Sequence, residues 1–146
     1  MGRLAFLFPG QASQSVGMDL FLRDFPDAVD FLDRIDKMTG VHKLSEIISN
    51  GPPEVLTRTD NVQPAITMIS IATMNVLVAA GVKPDGTAGH SLGEYAALVT
   101  AGVLLPEIAA KLTRIRGELM QKCADRHPGG MLALIGIDLD ISESFA

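Results

Sequence analysis

The chain has almost no cysteine: Cys123 is the only one. A lone thiol cannot close an internal disulfide, which fits a reducing, cytoplasmic compartment. No Cys/His cluster has the spacing of zinc ligands, so no metal site is expected. Cys123 itself falls in a helical pattern and reads as an ordinary small apolar side chain. Basic residues are also in deficit. Twelve Lys and Arg against 17 Asp and Glu leave a net charge of −5, whereas a generic nucleic-acid binder needs a cationic surplus to neutralise phosphates. Aromatic residues are few, at 5%, and charged residues make up 20%. No internal repeat or low-complexity tract is present.

Targeting signals are missing as well. The apolar run Leu4 to Phe8 stops at Pro9-Gly10, too short for the core of a signal peptide. Met1-Gly2 opens like a myristoylation signal, but Phe6 stands where Ser or Thr is required. What remains is a chain of 146 residues, 47% hydrophobic, enough for about one domain with a real core. The stretch from Asn61 to Val82 holds no charged residue and is long enough to cross a bilayer. It also carries Gln63, Thr67, Ser70, Thr73 and Asn75. It is therefore read as a helix buried in protein, with no membrane partner.

Local signals give an order of elements. Arg3 to Phe8 reads as a buried strand closed by Pro-Gly. Pro26 to Met38 has helical apolar spacing and ends at Gly40. Leu44 to Ile48 and Pro53 to Leu56 read as short helices. Gln63 to Ala80 reads as a long apolar helix with Pro64 in its first turn. Thr87 to Gly89 is a weak strand signal, Leu92 to Thr100 a helix, and Pro106 to Ala124 an amphipathic helix. A break at 127–130 precedes a new strand over Met131 to Ile137. Alternation of strand and helix makes the class α/β. Residues 1–126 are expected to form one unit and 127–146 the beginning of a second. A single strand there cannot bury its own faces, so it is expected to belong to a continuing fold, to the first sheet or to another chain.

The chemistry concentrates at Gly89-His90-Ser91-Leu92-Gly93. A serine hydroxyl is a poor nucleophile unless it is exposed, oriented and activated. The Gly-x-Ser-x-Gly pattern exposes it on a tight turn between strand and helix, where small residues let the two approach. The N–H of Leu92 can then donate to a developing oxyanion, and the following helix N-terminus favours negative charge there. By itself the pattern also suits a glycine-rich turn with a solvated serine.

The segment Gly89-His90-Ser91-Leu92-Gly93-Glu94-Tyr95-Ala96-Ala97-Leu98 resembles the active-site segment of malonyl-CoA:acyl carrier protein transacylases and related acyltransferase domains of fatty-acid and polyketide synthases. Further motifs agree in order. Phe8-Pro9-Gly10-Gln11-Ala12-Ser13-Gln14 is similar to the family's Pro-Gly-Gln-Gly-Ser-Gln loop. Ile115-Arg116-Gly117-Glu118-Leu119-Met120-Gln121 is similar to its arginine-bearing helix. Gly130-Met131-Leu132-Ala133-Leu134-Ile135-Gly136 resembles the strand that opens its small subdomain. The resemblance implies an α/β-hydrolase-like parallel-sheet core, with the first strand of a small ferredoxin-like subdomain at the C-terminal end. It implies Ser91 as the acyl carrier, Gln11 and Leu92 as oxyanion donors, and Arg116 as the ligand of the malonyl carboxylate. Gln11 also borders the substrate. The substrates would be malonyl-CoA and the phosphopantetheine thiol of acyl carrier protein, with coenzyme A as part of a substrate and no cofactor. Arg114 is expected at the surface.

Two departures stand out. The family's general base is a histidine well downstream of the serine, and the chain ends before that point. Its own histidines are His42, His90 and His127. His42 is expected to be solvated, His90 to point away from Ser91, and His127 to lie in the break. The 146 residues alone are therefore expected to be weak or inactive unless another segment supplies the base, because losing a base costs several orders of magnitude in rate. Gly86-Thr87, moreover, occupies what should be apolar strand. A thioesterase or other serine hydrolase shares the elbow, and a non-catalytic fragment could keep the motifs.

Overall fold

A computed structural model describes residues 2–40, 43–127, 129 and 136. The expected strand over 131–137, the second unit it would open, and His42 lie outside the described residues. Within them the chain is α/β, mostly helical, around a small parallel sheet of two strands.

The strands are β1 (Ala5–Phe8) and β2 (Gly86–Gly89), aligned so that Ala5 faces Gly86 and Phe8 faces Gly89. The sequence Gly-Thr-Ala-Gly has little intrinsic preference for a strand, and pairing with β1 overrides this. At one end Asp85 N–H donates to Leu4 O at 2.7 Å while Leu4 N–H donates to the Asp85 carboxylate at 2.8 Å. At the other, His90 N–H donates to Phe8 O at 3.0 Å. The strand signal, weak in sequence, is thus supplied by a partner far away in the chain.

Between the strands run α1 (Pro26–Thr39), α2 (Leu44–Asn50), α3 (Pro53–Thr57) and α4 (Thr59–Ala79). After β2 come α5 (Gly93–Thr100) and α6 (Pro106–Arg126). Proline opens α1, α3 and α6, where its missing N–H would have had no helical partner. Gly40 closes α1 in the left-handed region with φ of 70°. A 3-10 turn at Leu20–Leu22, not anticipated from sequence, puts Leu22 into the core.

Helix α4 is the spine of the molecule. It is long and apolar enough to cross a bilayer, but residues 61–68 are all buried under α1, α5 and α6. It also corrects one expectation. Pro64 lies inside the helix, which begins at Thr59 rather than Gln63. Helix α6 packs mainly against α4, and its buried residues are small: Ala109, Ala110, Thr113 and Gly117. Its larger apolar residues Ile108, Leu112, Ile115 and Leu119 face outward and are exposed. Small residues on the inner face let the two helix axes approach. A Cβ on Gly117 would lie 2.5 Å from Thr59 O.

Candidate active site

The turn from β2 into α5 carries Ser91, which is exposed. Its φ is 53°, a left-handed conformation that costs an L-residue about 1–2 kcal/mol and recurs where a side chain must be held at a sharp turn. Both flanking glycines are sterically required. A Cβ on Gly89 would overlap the backbone of Gly93 and Glu94, and one on Gly93 would strike Phe8 O and lie 2.7 Å from Pro9 O. Strand and helix therefore touch backbone to backbone, and Ser91 sits at the apex.

Leu92 anchors that apex. Its side chain is fully buried with Val62 and Ile66 of α4. Its N–H donates to no other group among the described residues. The N–H of Gln11 is equally free. Gln11 follows β1, one strand over from Ser91, in a loop closed by its own short bonds. Ser13 Oγ donates to Gly10 O at 2.8 Å and Ala12 N–H donates to Gln14 Oε1 at 2.9 Å. Gly10 is buried against the His90 ring, whose Nδ1 would lie 2.5 Å from a Cβ at that position. His90 thus lies on the Gln11 loop, and no hydrogen bond joins it to Ser91.

From α6, Arg116 reaches the same point. Its Nη2 donates to Ser91 Oγ at 3.0 Å and its Nη1 to Gln63 Oε1 at 2.6 Å. Gln63, wholly buried on α4, gives its amide to Met120 Sδ at 3.1 Å. Among the described residues, Arg116 has no acidic partner, whereas Arg114 on the same helix pairs with Glu118 at 2.8 Å. An arginine bonded only to neutral groups keeps its full positive charge available to an anion. Gln63 is the residue that sequence reasoning missed as part of the site. The available signal was an amide within the uncharged, largely apolar stretch that was expected to be buried, since a buried polar residue is more informative than a buried apolar one.

Arg114 is not a free surface residue, contrary to expectation. Its side chain is 21% exposed, and Nη1 donates to Asp60 O at 2.9 Å. His127 is exposed at the end of α6 and borders an open cavity of about 420 Å³ together with Gln11, Met120 and Cys123. It makes no hydrogen bond to Ser91. Cys123 is exposed rather than packed in the core. A larger cavity of about 560 Å³ lies between α1 and the end of α4, lined by Phe25, Phe31, Arg34 and Asn75 among others. It is remote from Ser91 and holds none of the site groups.

A strained, exposed serine at a strand-to-helix turn, two free N–H donors and an unpaired guanidinium make an acyl-transfer constellation. Residues 5–142 match the acyl transferase domain family. The chain belongs to this family. Among similar acyltransferases is the malonyl CoA-acyl carrier protein transacylase of Bacillus subtilis strain 168, 45% identical over 141 residues, covering 96% of this chain and 44% of the relative. The enzyme of that name from Escherichia coli K12 is 39% identical over 140 residues, covering 94% of this chain and 45% of the relative. Among solved acyltransferase structures, the malonyl CoA-acyl carrier protein transacylase of Clostridium perfringens superposes with a TM-score of 0.86 at 33% identity, over 98% of this chain and 45% of that one. A malonyl-transacylase solved in complex with a type II polyketide synthase acyl-carrier protein gives a TM-score of 0.78 at 39% identity, over 83% of this chain and 40% of that one. The chain thus spans somewhat under half the length of the curated acyltransferases it matches.

Proposed function

We propose that the chain carries the nucleophile and the carboxylate-binding half of a malonyl-CoA:acyl carrier protein transacylase. In this reading Ser91 Oγ attacks the thioester carbonyl of malonyl-CoA, an oxygen–carbon bond forms, the carbon–sulfur bond breaks and coenzyme A leaves as its thiol. The N–H groups of Gln11 and Leu92 hold the oxyanion. The phosphopantetheine thiol of acyl carrier protein then attacks the serine ester and regenerates Ser91. The hydroxyl proton moves to a base that the family places downstream of these residues, and from that base to the departing sulfur. No metal or other cofactor is needed, because a thiolate is already a good leaving group. Gln11 also borders the bound acyl group.

The observation that carries the malonyl assignment is Arg116. It lies in hydrogen-bond contact with Ser91, has no acidic partner among the described residues, and keeps its charge at the reacting centre. Acetyl offers that charge nothing, whereas malonyl offers a carboxylate that a guanidinium can grip with two parallel bonds. Such a grip fixes the carbonyl over the nucleophile.

The same proposal extends to architecture and location. Residues 1–126 are part of an α/β-hydrolase-like core, and 127–146 begin a small ferredoxin-like subdomain. One exposed thiol, Cys123, suits the reducing cytoplasm. The rival with a specific observation behind it is a non-catalytic fragment, since no imidazole bonds to Ser91 among the described residues. Intact-mass analysis after incubation with malonyl-CoA separates the two. Slow malonylation that disappears in Ser91→Ala supports the transferase. No adduct at any time overturns it in favour of the fragment. Comparable adducts from malonyl-CoA and acetyl-CoA would point to a general serine hydrolase.

A further inference from the structure

Proline in the interior of a helix leaves the carbonyl four residues back without its donor. In α4 that carbonyl belongs to Asp60, and the proline is Pro64. Arg114 fills the vacancy, donating from Nη1 to Asp60 O at 2.9 Å. One residue back along α4, Gln121 Oε1 accepts from Thr59 N–H at 3.1 Å, so α6 also caps an orphan donor of the first turn. Between them Gly117 brings the backbones together, with Asp60 Cα 3.0 Å from where its Cβ would stand. Positions 114, 117 and 121 lie on one face of α6. Gln63, adjacent to Pro64, receives Arg116 from the neighbouring stripe of the same helix.

We propose that Arg114 is a positioning residue for the anion-binding guanidinium. By supplying the donor that Pro64 lacks, it keeps the first turns of α4 helical and so holds Gln63, the residue before Pro64, in place. That placement determines whether Arg116 meets Gln63 and Ser91 together. The Glu118 carboxylate, 2.8 Å from Arg114, keeps the side chain aimed at α4. A generic surface ion pair would contribute little. Here the guanidinium satisfies a main-chain carbonyl that has lost its helical partner, and hydrogen bonds from charged groups to such acceptors are the stronger ones.

The test exploits the proline. Replacing Pro64 with Ala restores an N–H for Asp60 O and makes the Arg114 contact redundant. In the 146-residue chain, the arginine side-chain resonances are followed by nitrogen-15 NMR, with Arg116→Lys used only to assign the Arg116 signal. Arg114→Met is expected to move that signal toward a freely rotating guanidinium. The double variant Pro64→Ala/Arg114→Met is expected to bring it back. A second readout rests on the malonyl-transfer reading. The dissociation constant for malonyl-CoA is expected to rise about tenfold in Arg114→Met and to recover in the double variant, with acetyl-CoA unchanged. Loss of thermal stability with an unmoved Arg116 signal would overturn the proposal, as would failure of Pro64→Ala to rescue. If the unaltered chain binds no malonyl-CoA, the substrate reading fails, and the NMR rescue still decides the role of Arg114.

Discussion

Arg116 touches Ser91: Nη2 donates to Oγ at 3.0 Å across 25 positions of sequence. The contact joins the β2–α5 turn to α6 and places a full positive charge at the nucleophile. A cation here lowers the cost of negative charge on Oγ and on an incoming carboxylate alike. A carboxylate that takes up the guanidinium also frees the oxygen for attack.

Arg116→Ala is therefore expected to act selectively. Hydrogen bonds to charged groups are worth about 1.5–3 kcal/mol, so affinity for malonyl-CoA should fall roughly ten- to hundredfold. Acetyl-CoA affinity should change little. Titration calorimetry with both thioesters checks this, and equal losses for the two would remove Arg116 from carboxylate binding. Arg116→Lys should recover only part of the affinity, since one ammonium cannot bridge as the planar fork does.

Gln63 offers a way to occupy Arg116 from within. Gln63→Glu places a carboxylate where an amide oxygen now accepts from Nη1 at 2.6 Å. The internal anion should compete with malonyl, so binding should weaken at least about tenfold while the fold keeps its thermal stability. Gln63→Leu removes the acceptor and leaves one donor of the half-buried Arg116 without its protein partner, at a cost of about 1 kcal/mol. Thermal melts and malonyl-CoA titrations should thus separate the two variants, Gln63→Leu by a lower melting temperature and Gln63→Glu by weaker binding at an unchanged one.

Much of this was legible in sequence because the signals are local. Pro26, Pro53 and Pro106 open helices, and Gly40 closes one. Ser91, Leu92, Gln11 and Arg116 stand in ordered motifs. The rest depends on partners distant along the chain. Strand β2 exists because β1 pairs with it. Helix α4 begins before Pro64, and the carbonyl of Asp60 that the proline leaves without a helical donor is met by Arg114, 54 positions away. Gln63 joins the site only through a residue 53 positions away. Helix α6 looked amphipathic, but its inner face is small rather than bulky, because close approach to α4 governs it.

Steric necessity at the elbow predicts a sharp contrast between glycines. Gly93→Ala drives a methyl group into the carbonyls of Phe8 and Pro9, and backbone cannot step aside cheaply. A loss of at least about 2 kcal/mol is expected. Gly86→Ala, at the open start of β2 with nothing within 4 Å, should stay within about 0.5 kcal/mol of the parent. Urea unfolding midpoints of the two variants provide the comparison.

Ala12 gives the converse case, a residue whose side chain is the problem. Its φ is 83°, a region that L-residues avoid and glycine enters freely. The acyltransferase motif that this loop resembles has glycine at the corresponding place. The strain is held by the loop's own bonds, from Ala12 N–H to Gln14 and from Ser13 Oγ to Gly10 O. Relief of a left-handed alanine recovers about 1–2 kcal/mol, and the extra freedom of glycine in the unfolded chain returns about 0.4–1 of it. Ala12→Gly should therefore stabilise the chain by roughly 0.5–1 kcal/mol, seen as a higher urea midpoint with an unchanged slope. A lower midpoint would mean that the loop relaxes in solution. In that case the Gln11 N–H would not be held ready for an oxyanion.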